Sequence, residues 1–158
     1  GSISYFLKSR MSINYKKPFT LKLVLFYSSL LHIIGGLMFL YNNDLAKLYC
    51  EVIFGMNIEI NSQMQYLVKM LGLYSFLIGI FIIFIFINPY KYNNFIWVLI
   101  LLYSYRFIFS ILSFDFMHTN FKISYFNLYL ATSILALSLI LLIIGNFQLI
   151  ERTNKLNA

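Results

Sequence analysis

The chain has 158 residues, 61% hydrophobic and 20% aromatic, with only 11% charged side chains, where a soluble domain carries about 25%. Its 12 Lys and Arg against 5 Asp and Glu give a net charge of +7, but the cations sit at the ends of apolar runs and build no basic patch on a polar face. This distribution excludes an ordinary water-soluble domain and argues against nucleic acid as a partner; it fits cations that orient spans in a membrane.

Gly1 and Ser2 read as a cloning remnant, and Met11 is a second candidate start. Residues 1–18 carry Lys8, Arg10, Lys16 and Lys17 and form a basic segment, with Tyr5, Phe6 and Tyr15 as interfacial anchors. A first span is predicted over 19–41, long enough at 1.5 Å per residue to cross a hydrocarbon core of about 30 Å. His32 lies near its middle, on one helical face with Ser28, Gly35 or Gly36, and Phe39. A structural role for His32 would be a neutral imidazole bonded to a neighbouring hydroxyl or carbonyl; a functional one would be ligand contact or proton handling.

The connection 42–64 opens on cap residues, Asn42, Asn43 and Asp44. Apolar residues at helical intervals from Leu45 to Ile53 then predict a short amphipathic helix on the membrane, broken at Gly55. Its three carboxylates, Asp44, Glu51 and Glu59, have no local histidine and no metal-ligand spacing, so they read as a solvated face and no metal site is assigned. Cys50 is the only cysteine, which excludes an internal disulfide and a CxxC redox pair.

A second span over 65–87 stops at Asn88 and Pro89. Val68, Gly72, Ser75, Gly79 and Ile83 share one face, a small-residue stripe of the kind that lets helices approach closely. Tyr74 can turn to that seam or to lipid. After a hairpin with Tyr90, Lys91 and Tyr92, a third span over 94–114 carries Arg106 deep within it. An ionised group in hydrocarbon costs from about 3 to above 10 kcal/mol, so this guanidinium is expected to turn inward to partners, water or a ligand. Leu99, Tyr103, Arg106, Ser110 and Ser113 lie on its face. Asp115 is about 13 Å further along the axis, too far for a direct pair.

A loop from Asp115 to Ser124, holding His118 and Lys122, leads to a fourth span over 125–145 and a polar tail, 146–158. The fold class is therefore all-α, a four-transmembrane-helix bundle in one membrane domain, 19–145. Lys8, Arg10, Lys16, Lys17, Lys22, Lys91, Arg152 and Lys155 collect on one side, against Lys47, Lys69 and Lys122 on the other, which predicts both termini on the cytoplasmic side of a bacterial inner membrane. Counted inward about nine residues from the opposite ends, the spans present His32, Tyr74 or Ser75, Arg106, and Thr132 or Ser133 at one depth.

The expected site is a polar pocket inside the bundle, with Arg106, His32, Tyr74, Ser75, Tyr103, Ser110 and Ser133 as ligand-binding residues. Arginine is permanently charged, a poor base but a good holder of carboxylate, phosphate or a polarised carbonyl. Three uses are open. The first is binding a lipid, a quinone or another amphiphile with an acidic or carbonyl head, alone or as accessory subunit of a membrane complex. The second is a transporter or channel for a small solute built from homo-oligomers. The third is a membrane enzyme with His32 as acid or base, which lacks an activated nucleophile and any carboxylate within the spans. A structural alternative ties Arg106 to helix carbonyls and to Ser110, Tyr103 or His32.

The segment LGLYSFLIGIFIIFIFINPYKYNNFIWVLILLYSYRFIFSILSFD resembles the small four-helix membrane proteins of the BphX-like and DoxX-like type. The matching positions are Gly72, Gly79, Pro89, Arg106 and Asp115, together with the Gly35 and Gly36 pair of the first span. The resemblance implies a four-helix membrane bundle, with some relatives attached to quinone-linked oxidoreductases; it assigns no cofactor and no catalytic residue here.

Overall fold

The computed structural model describes residues 18–157, except the side chains of 152 and 155–157. The basic segment before residue 18, with its anchors and cations, and the side chains of Arg152 and Lys155 lie outside the described residues.

The described chain is all helix and turn. α1, Phe19–Tyr41, starts behind Pro18, whose carbonyl accepts from Lys22 N at 2.9 Å. It ends where Asn42 turns extended and caps the next helix, its Oδ1 accepting from Leu45 N at 2.7 Å. α2, Asn43–Tyr49, runs on into a wider π turn, Cys50–Phe54, and Gly55 closes it at φ 65°. Only a residue without Cβ holds that left-handed conformation readily, so the predicted break at Gly55 has a backbone cause.

α3, Ser62–Ile87, begins three residues before the expected start, because Asn61 Oδ1 accepts from Met64 N at 2.9 Å and fixes the first turn there. α4 is Asn93–Leu112. The stretch expected as a loop instead forms a short helix, α5, Phe114–Phe121, ended by Lys122 at φ 54°. α6, Tyr125–Asn157, does not stop at Gly145 but continues as helix through the polar tail. Hydropathy marks where a helix leaves the membrane; it does not mark where its hydrogen bonds end.

α1, α3, α4 and the Tyr125–Glu151 part of α6 are each long and apolar enough to cross a bilayer, and this is a multi-pass membrane protein. Their outward faces are lined with Leu, Ile and Phe, which lipid can cover. Successive spans run in opposite directions, so α1 begins and α6 ends on one side, here termed the basic face.

Two cores divide the bundle unequally. The larger gathers Leu21, Val24 and Leu25 of α1, Ile82 and Ile85 of α3, Ile96, Leu99, Ile100 and Tyr103 of α4, and Leu142 and Leu149 of α6, all in the half toward the basic face. The smaller lies at the opposite end, where Phe39, Val68, Ala46 and Cys50 join α1 and α3 to α2. Past Tyr103, no residue of α4 is buried. The most extensive helix contact is α1 against α3. It is the predicted small-residue seam: a Cβ at Gly36 would stand 2.6 Å from Phe76 N, and one at Gly79 3.0 Å from Ile33 N. At the opposite end Lys69 Nζ donates to the Leu40 carbonyl, capping the last turn of α1 with a cation where the helix dipole is negative.

Candidate functional site

The site forms where the larger core ends. His32 Nδ1 is 2.8 Å from Ser28 O, and Arg106 Nη1 is 3.2 Å from His32 Nε2. A carbonyl only accepts and a guanidinium only donates, so these two bonds together require a neutral imidazole with its proton on Nδ1 and its lone pair on Nε2. Both ring nitrogens are therefore engaged, and proton transfer by His32 would first need one bond to open. Ser75 Oγ donates to the His32 carbonyl at 3.0 Å, tying α3 to the same turn of α1. Tyr103, one turn below Arg106, is 5% exposed; the guanidinium carbon stands 5.9 Å from its ring centroid, and the His32 ring 6.4 Å.

Arg106 itself differs from the expectation. It is bonded to α1 yet exposed on the flank of the bundle: beyond Tyr103 no residue of α4 is fully buried, and only Ser104, Phe107 and Ser110 are half-buried. No enclosed polar pocket surrounds it. The two best-defined clefts lie near the opposite face instead: one of about 280 Å³ includes Glu59, Met64, Asn120 and Lys122, and one of about 140 Å³ includes Glu51, Phe54 and Asn127. Neither is lined by Arg106 or His32.

Of the remaining expected site residues, Ser110 stands one turn from Arg106, and its Oγ shares a 2.8 Å hydrogen bond with Thr132 Oγ1 on α6. Thr132 is the inward member of the Thr132–Ser133 pair; Ser133 is exposed, since neighbouring residues on a helix point about 100° apart. Tyr74 is 56% exposed and turns away from the cluster, while its neighbour Ser75 faces α1. The structure thus brings together Arg106, His32, Ser75 and Tyr103, places Ser110 beside them, and leaves out Tyr74 and Ser133. Asp115 belongs elsewhere, its Oδ1 accepting at 3.5 Å from Tyr125, whose ring stacks on His118.

Two residues absent from the expected set belong to the site. Ser28 is 2% exposed, with its Oγ facing the Tyr103 side chain. Tyr49 comes from α2: its hydroxyl donates to Leu31 O at 3.1 Å and its ring lies on Gly35. Burial pushes the Tyr49 phenol above its ordinary pKa, while the Arg106 guanidinium pulls the other way, which places the two side chains in one electrostatic neighbourhood. Burial likewise raises the Cys50 thiol, so it is an inert packing residue at neutral pH.

A guanidinium has five N–H donors. Among the described residues Arg106 makes one hydrogen bond, to His32, and α1, α3 and α4 contain no carboxylate. No cluster of three or more potential metal ligands occurs among the described residues. Comparison of the chain with protein-family models, with curated proteins and with solved structures finds no match.

Proposed function

We propose that this membrane protein binds the head of an acidic or carbonyl-bearing amphiphile, a lipid or a quinone, at the Arg106–His32 pair. One observation carries the reading: a permanently charged side chain deep in a span, open on the bundle's flank, with most of its donors unfilled and no carboxylate in α1, α3 or α4. Such a charge in hydrocarbon needs an anion or a strong acceptor from outside the chain. The buried Ser28 hydroxyl adds a further polar atom nearby. His32 orients the guanidinium and, with both nitrogens bonded, acts as a holder and not as a proton carrier. The cation-rich side, with both termini, faces the cytoplasm of a bacterial cell by the usual loop-charge bias. Attachment to a larger membrane complex, as in the DoxX-like proteins it resembles, is part of this proposal.

The test is the mass spectrum of what leaves the detergent-purified protein on denaturation. Wild type is expected to carry a stoichiometric anionic lipid or quinone, and Arg106→Leu to lose it while keeping its helical circular dichroism. Equal retention by the variant overturns the reading. Collapse of the fold in Arg106→Leu makes the arginine a structural tie instead.

A further inference from the structure

The connection after α1 does not merely lie on the membrane. Tyr49 leaves α2 and inserts at the depth of the site, with its hydroxyl on Leu31 O, the carbonyl preceding His32. Its ring fills the space above Gly35 so closely that a Cβ there would be 2.6 Å from Tyr49 Cζ. Phe39 and Phe54 meet the ring edge-on at 5.6 and 6.0 Å. Behind it stands the smaller core, Phe39, Ala46, Cys50 and Val68, with Met56, Ile58 and Ile60 packed against it. This apolar plug lies on the α1 and α3 side, between the level of His32 and the face opposite the basic one.

The flank is different. α3 and α4 pack beside their hairpin, where Phe81 meets Phe95 edge-on at 5.3 Å, and share little contact beyond. Past Tyr103 most side chains of α4, Arg106 among them, are exposed on the outside of the bundle.

We infer that Tyr49 closes the Arg106–His32 site against water, so that the site is loaded sideways from the bilayer and takes an anionic head only when that head is attached to a membrane-resident chain. This inference rests on the headgroup reading above and assigns to Tyr49 the choice between two sources of the same chemistry, a lipid phosphate or carboxylate and a water-soluble anion. The geometry also supplies a way to open the plug without touching Arg106. In Gly35→Ala the three atoms nearest the new methyl all belong to the far end of the Tyr49 side chain, which must shift, while every atom of the tyrosine is kept.

The experiment uses the full chain in phosphatidylcholine nanodiscs containing dioleoyl phosphatidate, with n-butyl phosphate as the water-soluble competitor and native mass spectrometry as readout. Wild type is expected to retain phosphatidate and to release none of it to butyl phosphate. Tyr49→Ala and Gly35→Ala, checked for helicity, are expected to release it at butyl phosphate concentrations about tenfold or more below the highest one that wild type withstands. Gly35→Ala keeps the test valid if Tyr49→Ala does not fold. Equal competition in wild type and both variants overturns the closure by Tyr49 and leaves the headgroup reading standing. Absence of phosphatidate from wild type, or equal retention in Arg106→Leu, overturns both.

Discussion

Gly36 and Gly72 stack backbone on backbone: a Cβ at Gly36 would approach Gly72 O to 2.8 Å, and one at Gly72 would approach Gly36 O to 3.0 Å. Where lipid is as apolar as leucine, helices associate by such close packing and not by exclusion from water. The α1–α3 pair is accordingly the rigid unit on which the site is mounted, presenting His32 on one side of the seam and accepting Ser75 across it.

Gly36→Ala is expected to destabilise the bundle by about 1–3 kcal/mol, since the clash is with backbone atoms that no rotamer change relieves. The gain in helix propensity, at most about 1 kcal/mol, works against it and does not cancel it. Unfolding in mixed detergent measures the difference. A variant as stable as wild type would show that the two backbones are not in contact.

The Ser110–Thr132 bond joins α4 to α6 next to the site. A double-mutant cycle with Ser110→Ala and Thr132→Val is expected to give a coupling of about 0.6 kcal/mol, typical of hydrogen bonds between membrane helices. Ser133→Ala, on the exposed side, should couple to neither.

Asn146 is fully buried, and among the described residues neither its Oδ1 nor its Nδ2 has a partner. Burying an unpaired amide costs on the order of 1–3 kcal/mol, so Asn146→Leu, of similar volume, should stabilise the protein by about 1 kcal/mol or more. A loss of stability would mean that the amide is satisfied by water.

Burial raises the pKa of both Tyr49 and Cys50 in the fold. The folded state therefore holds these protons longer than the unfolded chain does, and their contribution to stability is complete below the unfolded pKa values, about 8.5 for the thiol and 10 for the phenol. It is lost as pH rises through that range toward the folded values. Unfolding measured from pH 7 to about 10.5 should show a steeper loss for wild type than for the Cys50→Ser, Tyr49→Phe double variant. Parallel curves would remove the titrations from the account.

The spans were legible because an apolar run of bilayer length has no other stable home, and the glycine seam because Gly72 and Gly79 recur on the face that meets α1. Other features depend on contacts distant in the chain. Nothing local to Tyr49 says that its ring will drop onto Gly35, in a segment whose pattern reads as a surface helix. Thr132 and Ser133 differ by one residue and one helical step, and only the position of α4 decides which of them Ser110 meets. The outward exposure of Arg106 follows from the larger core stopping at Tyr103, a property of four helices together. Short α5 escaped because eight residues with Asp115, His118 and Asn120 carry too little apolar pattern to distinguish a helix from a loop.

The bond from Lys69 to the Leu40 carbonyl ties the start of α3 to the end of α1. Of the three lysines assigned to that side, this one has its ammonium folded back onto a helix end, where it offsets a partial negative charge instead of standing in the aqueous layer. Held in this way the ammonium keeps its full charge while it satisfies a carbonyl that the end of α1 leaves without an intrahelical partner.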